Sequence, residues 1–278
     1  NFPKKMEKLP YLSSDLKKLG YFTGFVFGYN PDYANFRAYV NNSGYDKFVS
    51  KADFKASECN AKWGVHDHIV LNRLLNECNQ AKTPFFMAFA SLSSHEPFDV
   101  PAKTVIPGKE EKYLYLNSAH YADNSLGEFI RKAQKTSWWK NTLIVMIADH
   151  GTRHPDLSPP YNPVNSHIPM LWMGGAVTKT DTVISTYCTQ SDLAYTILRQ
   201  LGVNNTDYKF SQNFLSTEAP GFGFYVFNNG FGFLKKGKLM VYDCAANKMI
   251  MQNGLPDEEF VLQGKSYFQV LTDDVIKR

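Results

Sequence analysis

The sequence predicts an α/β fold in which a mostly parallel central sheet is flanked by helices and followed by an antiparallel β lobe. Two features lead to this prediction. Over residues 1–215, short continuous apolar runs alternate with longer segments of helical periodicity, which is the pattern of a parallel sheet with crossover helices. Over residues 216–278, short aromatic segments separated by glycine and asparagine are typical of an antiparallel meander, and a terminal helix follows. We expect this lobe to pack on the same domain.

The individual elements follow from periodicity and from their end signals. Gly20 and Gly202 each follow an amphipathic segment and are expected to end a helix, and Asp67 is expected to cap the start of another. The apolar run at residues 85–90 is too short for a globular helix and suits a central strand. The predicted helices lie at residues 13–19, 68–80, 118–135, 192–201 and within 258–276, and the predicted strands at 22–27, 85–90, 142–148, 168–173, 224–227, 231–234, 238–242 and 248–252.

Composition argues against several classes of protein. The net charge is +4, from 30 basic and 26 acidic residues without a basic stripe, so a nucleic-acid surface is not expected. No apolar run approaches the roughly 20 residues that span a bilayer. The four cysteines include no CxxC pair, so we expect buried free thiols rather than a disulfide scaffold or a zinc site. The first residues have neither an initiator methionine nor a signal-peptide core and are typical of a cut end.

Polar residues follow three of the predicted strands at their carboxyl ends, where open α/β sheets collect their ligands. Asp149 and His150 come directly after the third strand of the α/β part. His95 follows the second strand, and Arg37 follows the first. Each position alone is ordinary, but together they place chemically related side chains at one edge of the predicted sheet.

These side chains have the chemistry of a metal and anion site. An adjacent aspartate and histidine at a strand end can offer one cation an oxygen and an imidazole nitrogen, a pair that suits zinc or manganese. Gly151 allows a sharp turn there without a side chain in the way. His95 and Arg37 have the donors that grip the oxygens of a tetrahedral anion. Each also has a purely structural explanation: Asp149 could cap the following turn, His95 could be a structural histidine with its hydrogen bonds made within the fold, and Arg37 could be an ordinary surface residue.

At these residues the sequence resembles the sulfatase and alkaline phosphatase superfamily. The sequence IADHG at residues 147–151, preceded by NTL at 141–143, is similar to the metal-binding strand of that superfamily. Three further segments resemble its lipoteichoic acid synthase, or phosphoglycerol transferase, branch: SSHEPF at residues 93–98, KWGVHD at 62–67 and the stretch at 19–46. Their order along the chain is more specific than a lone DHG. The resemblance covers about residues 9–215.

The resemblance implies a metal-dependent site. A divalent ion would be held partly by Asp149 and His150, with manganese or zinc expected first and magnesium or calcium as alternatives. His95 and Arg37 would be the catalytic residues that bind the transferred group.

Further contacts are implied less directly by the same resemblance. Phe36 stands where an aromatic substrate contact is sometimes placed, and His167 and His154 are further candidates for substrate, anion or metal contact. His167 precedes the strand at residues 168–173, so it faces the site only if that strand runs antiparallel to its neighbours.

The chain departs from the family in its first residues. The family also needs an acidic metal ligand and a threonine or serine nucleophile (formylglycine in true sulfatases), and nothing before residue 9 takes those places. Ser93 and Ser94 are expected to hydrogen-bond the turn that aims His95 rather than to attack the substrate. We therefore expect the nucleophile to lie upstream of this chain and the chain alone to be nearly inactive.

The activity implied by the resemblance is transfer or hydrolysis of a phosphoglycerol-type phosphodiester through a covalent intermediate on the upstream hydroxyl. The implied partner is a phospholipid head group or a sulfated or phosphorylated glycan. The implied location is the extracytoplasmic face of the cell envelope, periplasmic or on the outer side of the cytoplasmic membrane, with membrane attachment only through upstream segments. Two alternatives stay open: a sulfate-ester hydrolase, whose substrate carries the same single charge, and a non-catalytic anion- or metal-binding lobe.

Overall fold

The structure is a computed structural model that describes residues 3–155, 157–254 and 257–278. Within those ranges the helices are α1 (Pro3–Met6), α2 (Leu12–Lys18), α3 (Phe36–Ser43), α4 (Asp67–Gln80), α5 (Glu111–Ala133), α6 (Asp192–Gln200) and α7 (Glu258–Lys277). The strands are β1 (Phe22–Phe27), β2 (Lys47–Val49), β3 (Phe85–Ala90), β4 (Ile144–Ile147), β5 (Met170–Met173), β6 (Phe222–Phe227), β7 (Gly230–Lys235), β8 (Lys238–Asp243) and β9 (Lys248–Asn253). None of these helices combines the length and apolarity needed to cross a membrane.

The predicted parallel sheet is present and has the strand order β2-β1-β3. Strand β1 pairs in parallel with β3 over its whole length, from Phe22 opposite Phe85 to Phe27 opposite Ala90. Because parallel strands of equal length end together, the loops that follow β1 and β3 leave from the same edge of the sheet. The first of these loops leads to Arg37 at the start of α3, and the second carries His95.

Helices α4 and α5 pack together over one face of the sheet. Helix α4 presents an apolar stripe at helical spacing, and its Val70, Leu71 and Leu74 are buried. Each fully buried side chain of this kind stabilises the fold by roughly 1.5–3 kcal/mol. The resulting core fixes the sheet edge from which the candidate site is built.

Strands β4 and β5 form a two-stranded antiparallel sheet. Ile147, the last residue of β4, pairs with Met170, the first residue of β5. The chain segment that enters β5 therefore lies beside the segment that leaves β4. His167 was expected to approach Asp149 only if β5 runs antiparallel to its neighbour, and it does.

The carboxyl-terminal lobe is the predicted antiparallel meander, with strand order β6-β7-β8-β9. Helix α7 packs on it around a core formed by Phe231, Phe233, Met240 and Phe260. The hydroxyl of Tyr225 donates to the carbonyl of Tyr161, 2.7 Å away, and so joins the lobe to the α/β part. The division of the chain at residue 215 stays a prediction.

Helix α5 begins earlier than the predicted start at residue 118. Its first two turns contain Asn117, which is buried and therefore breaks the apolar periodicity of the core-facing side. The Asn117 side chain accepts from the backbone N–H groups of Val105 and Ile106 and donates to the Ile106 carbonyl, at 2.9 to 3.0 Å. The start of the helix was therefore missed because a buried polar residue, hydrogen-bonded to the preceding loop, interrupts the apolar spacing.

All four cysteines are free, as expected. Cys78 is buried in the core, and burial raises the pKa of its thiol to about 12. The expectation of buried thiols is confirmed only at Cys78, because Cys59 and Cys188 are half-buried and Cys244 is exposed. Cys244 lies in the turn between β8 and β9, where a small residue needs no burial.

Candidate functional site

Asp149 and His150 follow β4 directly, and both side chains are exposed, at 90% and 76%, respectively. The His150 Nδ1 lies 2.8 Å from the carbonyl oxygen of Gly151. A neutral ring that donates from Nδ1 keeps a lone pair on Nε2, so that nitrogen is free to bind a metal. The His150 Nε2 lies 3.7 Å from the Asp149 Oδ2, so a nitrogen and an oxygen ligand are presented side by side.

The backbone of this loop is positioned by a close approach to a neighbouring backbone segment and by hydrogen bonds from the Gln190 side chain. A Cβ atom at Gly151 would lie 1.6 Å from the carbonyl oxygen of Asn165, so only glycine allows the loop to approach so closely. The Gln190 side chain donates from Nε2 to the carbonyls of Ala148 and Asp149, at 2.9 and 3.0 Å. The predicted role of Gly151 is thus a close approach to a neighbouring backbone segment.

His95 is carried by a turn that a buried carboxylate fixes from below. Asp67, only 2% exposed, accepts the backbone N–H groups of Leu92 and Ser93 at 2.9 and 3.0 Å. The turn closes with the N–H of His95 on the Leu92 carbonyl, 3.0 Å, and the N–H of Phe98 on the His95 carbonyl, 2.8 Å. Charge-assisted bonds to a buried aspartate are among the stronger hydrogen bonds in proteins, so this turn is well fixed.

The prediction that Asp67 caps its helix is wrong. Asp67 is the first residue of α4, and His66 holds the capping position without a side-chain cap bond. Its carboxylate instead accepts hydrogen bonds from N–H groups of the turn after β3. A buried carboxylate needs donors, and here the fold places those of the turn beside it. The Ser93 hydroxyl is 3.4 Å from the Asp67 N–H, in line with a supporting role in the turn, whereas Ser94 is exposed.

His66 was not singled out from the sequence, yet it lies beneath the site. It is 4% exposed, and within the described part of the chain its Nδ1 finds no hydrogen-bond partner. Burial lowers the pKa of this ring, so its neutral form is favoured. His66, Ser93 and His95 line the same small cavity. His66 belongs to the KWGVHD motif at residues 62–67, which could have drawn attention to it, but the sequence does not reveal its burial.

Arg37 lies on the first turn of α3 and forms a bidentate pair with Asp32. Its Nε is 2.5 Å from the Asp32 Oδ1 and its Nη2 is 3.2 Å from the Oδ2. The hydrogen bond to Arg37 lowers the pKa of the Asp32 carboxyl. Both side chains are exposed, so the pair competes with solvent and with any incoming anion.

Phe36 turns toward the sheet rather than into solvent. Its half-buried ring lies 4.4 Å from the ring of Phe27 and 5.2 Å from that of Phe25. This packing anchors the start of α3 and thereby the position of Arg37. A substrate contact by Phe36 stays a prediction.

Trp63 links the turn that carries His95 to the loop that leads to Arg37. Its ring centroid is 5.5 Å from His95, 5.7 Å from Tyr29 and 6.2 Å from Tyr33. An isolated bridge between Tyr29 and Gly64 holds the same two segments together. The structure therefore brings the two loops to one aromatic residue, while the described contacts do not join Arg37 to His95 directly.

The loop after β4 meets the turn after β3 through His154. The His154 ring lies 5.4 Å from the rings of both Phe98 and Tyr115. Phe98 in turn is hydrogen-bonded to the carbonyl of His95. His167 is exposed and precedes β5, so it lies at the end of the two-stranded sheet where β4 leads into Asp149. The three loops that hold the predicted site residues thus converge.

The donor set at Asp149 and His150 fits part of a metal site. One carboxylate oxygen and one imidazole nitrogen suit manganese or zinc, which commonly take four or more ligands. Within the described residues, these two side chains belong to no group of three histidine, cysteine or acidic residues close enough to share an ion. Further ligands would have to be water, substrate or other residues.

Comparison with known proteins identifies relatives of the chain. A family model described as Sulfatase matches residues 1–203. The lipoteichoic acid synthase-like YvgJ of Bacillus subtilis is 23% identical over 82% of this chain and 40% of its own length. Lipoteichoic acid synthase 2 of Bacillus subtilis is 28% identical over 75% of this chain and 35% of its own length. Phosphoglycerol transferase I of Xanthomonas axonopodis is 23% identical over 75% of this chain and 31% of its own length.

Two solved structures share the fold. A protein of the alkaline phosphatase superfamily from Vibrio parahaemolyticus has a TM-score of 0.81 at 23% identity, over 98% of this chain and 70% of that one. The lipoteichoic acid synthase LtaP of Listeria monocytogenes has a TM-score of 0.78 at 19% identity, over 99% of this chain and 75% of that one. The chain spans 31 to 40% of the length of the three curated relatives described above.

Proposed function

Because the chain belongs to the sulfatase family, a family of enzymes, we propose that it forms part of an enzyme that transfers or hydrolyses a phosphoglycerol-type phosphodiester. The observation that carries the proposal is the set of contacts between the three loops: Trp63, whose ring also contacts Tyr29 and Tyr33, packs against His95, and His154 packs against Phe98. The names of the relatives, lipoteichoic acid synthase and phosphoglycerol transferase, support the substrate class.

In this proposal Asp149 and His150 hold a divalent cation, for which manganese and zinc fit best. When bound, such an ion polarises a phosphoryl oxygen and lowers the pKa of an attacking hydroxyl. Asp149 contributes the negative charge. His150 is oriented by its Nδ1 contact with the Gly151 carbonyl, which leaves Nε2 as the ligand atom.

His95 and Arg37 bind and neutralise the transferred group. The His95 Nδ1 is 2.9 Å from the carbonyl of Glu96, so its Nε2 is the atom that faces a substrate. A protonated His95 can donate from Nε2 to the leaving oxygen. Arg37 uses Nε and Nη2 on Asp32, and its Nη1 remains for an anion oxygen. His167, at the same edge, is a further substrate contact in this proposal.

We place the enzyme at the extracytoplasmic face of the cell envelope, attached to the membrane through segments outside this chain. Its donor would be a phospholipid head group or a phosphorylated glycan. The attacking hydroxyl and the acidic metal ligand would likewise come from outside these residues. Each statement rests on the likeness to relatives of which this chain spans only a part.

The test compares this chain with a form that includes the sequence encoded before Asn1. Each is assayed with manganese, zinc or magnesium on an aryl phosphodiester and on an aryl sulfate. We expect phosphodiester turnover by the longer form, its loss in Asp149→Ala and a decrease of about 10²–10⁴-fold in His95→Ala. The chain alone should be nearly inactive.

Each other outcome has a definite meaning. Preference for the sulfate ester would favour a sulfatase. Absence of turnover on both substrates by the longer form would favour a non-catalytic binding protein. Substantial turnover by the chain alone, abolished in Asp149→Ala, would place the nucleophile within these 278 residues and contradict the upstream location.

A further inference from the structure

Three possible metal ligands lie together outside the Asp149 and His150 pair. Glu96, Glu111 and His154 each offer one ligand atom, and the three atoms all lie within 4.8 Å of one another. They come from the turn after β3, the first residue of α5 and the loop after β4. Sequence spacing gives no sign of this group, because only the fold brings the three segments together.

The imidazole of this group is already in place. The His154 side chain is only 12% exposed, and its ring is stacked on Tyr115 and meets Phe98 edge-on. Its Nε2 lies 3.9 Å from the Glu111 Oε1, beyond hydrogen-bond distance. A ring that is fixed by packing loses little entropy when it binds a cation.

The two carboxylates can close around an ion. Bonds of 2.0–2.1 Å in a tetrahedral site require ligand atoms roughly 3.3 Å apart. Glu96 and Glu111 are exposed, so rotations about their side-chain bonds can shorten the present separations without disturbing the core. The group therefore needs only side-chain adjustment to reach coordination geometry.

The local charge also favours a cation. Two carboxylates near each other repel, and within the described ranges no lysine or arginine lies within 4.0 Å of the carboxylate of Glu96 or Glu111. The neighbouring Glu110, in contrast, is paired with Lys112 at 3.0 Å. An ion between Glu96 and Glu111 would supply the missing positive charge.

We propose that Glu96, Glu111 and His154 form a second divalent cation site. The imidazole nitrogen favours zinc, cobalt or manganese over calcium and magnesium, which prefer oxygen ligands. The site shares no ligand with the Asp149 and His150 pair and does not depend on the function proposed above.

The position of the site suggests what the ion does. Glu96 directly follows His95, and its carbonyl accepts hydrogen bonds from the Trp63 indole and contacts the His95 ring. His154 lies on the loop that begins with Asp149 and His150. A cation bound here ties the turn that carries His95 to the loop that carries the proposed metal ligands, and so fixes their separation.

The experiment measures cobalt and zinc binding by equilibrium dialysis and by the visible absorption of bound cobalt. It uses the double variant Asp149→Ala and His150→Ala, so that only the second site remains. In that background we compare His154→Asn, the pair Glu96→Gln and Glu111→Gln, and the matched control Glu110→Gln. We expect one bound cation, weakened at least about tenfold by the His154 or the paired glutamate changes and unaffected by Glu110→Gln.

Because His154 also packs against Tyr115 and Phe98, its variant is checked by circular dichroism. The paired glutamate variant alters only exposed side chains and keeps the test valid if His154→Asn unfolds. Absence of a bound cation in the starting double variant would overturn the proposal. So would cation affinity that stays within about twofold in the paired glutamate variant.

Discussion

The turn after β3 is fixed from inside the molecule, whereas Asp149 and His150, which directly follow β4, lie on its surface. The His95 turn rests on the buried carboxylate of Asp67, which is 2% exposed. Asp149 and His150 are 90% and 76% exposed, and their loop is positioned by backbone contacts at Gly151. The two halves of one candidate site are therefore supported by different physical means.

The difference shows how the two halves would behave when ligands bind. An anion-binding turn that is already ordered pays little conformational entropy on binding. A surface loop with two exposed ligands gains order from the ion itself, because metal binding and local folding are linked. We therefore expect substitutions beneath His95 to lower global stability and those near Asp149 to act mainly on metal affinity.

Replacement of Asp67 by alanine should have the largest effect on stability. It leaves the buried N–H group of Ser93 and the partly buried one of Leu92 without an acceptor, at a cost of about 3–5 kcal/mol in the free energy of unfolding. Urea denaturation followed by tryptophan fluorescence measures this cost. Asp99 is exposed and accepts one N–H, from Lys62 at 3.2 Å, so Asp99→Ala should cost less than about 1 kcal/mol. Equal losses in the free energy of unfolding for Asp67→Ala and Asp99→Ala would contradict the contrast between the buried and the exposed supports of the site.

Replacement of Gly151 by alanine should have an intermediate effect. The new Cβ would collide with the Asn165 carbonyl, so the loop must shift, at a cost of about 1–3 kcal/mol. Manganese affinity should fall more than stability does, and calorimetric titration beside urea denaturation separates the two. Gly127→Ala in α5 is the matched control, since it meets only the flexible end of Arg131 and should not destabilise the fold. Unchanged manganese affinity in Gly151→Ala would break the assignment of this loop to the metal.

Glu77, near the end of α4, should have a smaller, pH-dependent effect on stability. Burial would raise the pKa of Glu77, but Lys47 at 2.5 Å and Arg73 at 2.7 Å outweigh it and lower the pKa. A folded-state pKa below the unfolded value of about 4.3 stabilises the fold above that pH. This stabilisation is lost as the pH falls through the folded-state pKa.

The test for Glu77 is urea denaturation between neutral pH and about pH 3. Glu77→Gln should make the free energy of unfolding less dependent on pH below about pH 4.3. Glu128 is exposed and lies 3.9 Å from Lys132, so Glu128→Gln should leave the dependence unchanged. The same acid-side slope in wild type and Glu77→Gln would refute the assignment.

Most strands were predictable because they depend on local pattern, but β2 (Lys47–Val49), with only three residues, was missed. The bounds of β1 and β3 agree residue by residue with prediction, since each is a mostly apolar segment of six residues. The antiparallel direction of β5 was not predictable, because a short apolar run has the same sequence pattern in a parallel and in an antiparallel strand. The early start of α5 was hidden by buried Asn117.

The site was predictable only in part, for a related reason. Asp149, His150, His95 and Arg37 were recognisable from the motifs around them, and their roles stay predictions. Asp67 was mistaken for a helix cap because an aspartate at a helix start looks the same in the sequence whether it caps that helix or accepts hydrogen bonds from a distant turn. Long-range packing, which a single sequence does not reveal, decides between them.

Calorimetry of glycerol phosphate and manganese binding tests the central claim, that the cation at Asp149 and His150 and the anion at His95 and Arg37 share one site. If so, manganese should strengthen glycerol phosphate binding, and glycerol phosphate should strengthen manganese binding by the same factor, about 5-fold or more. The coupling should disappear in Asp149→Ala and in His95→Ala and persist in Glu110→Gln. Glycerol phosphate affinity that is the same with and without manganese, or coupling that survives in both alanine variants, would contradict the account.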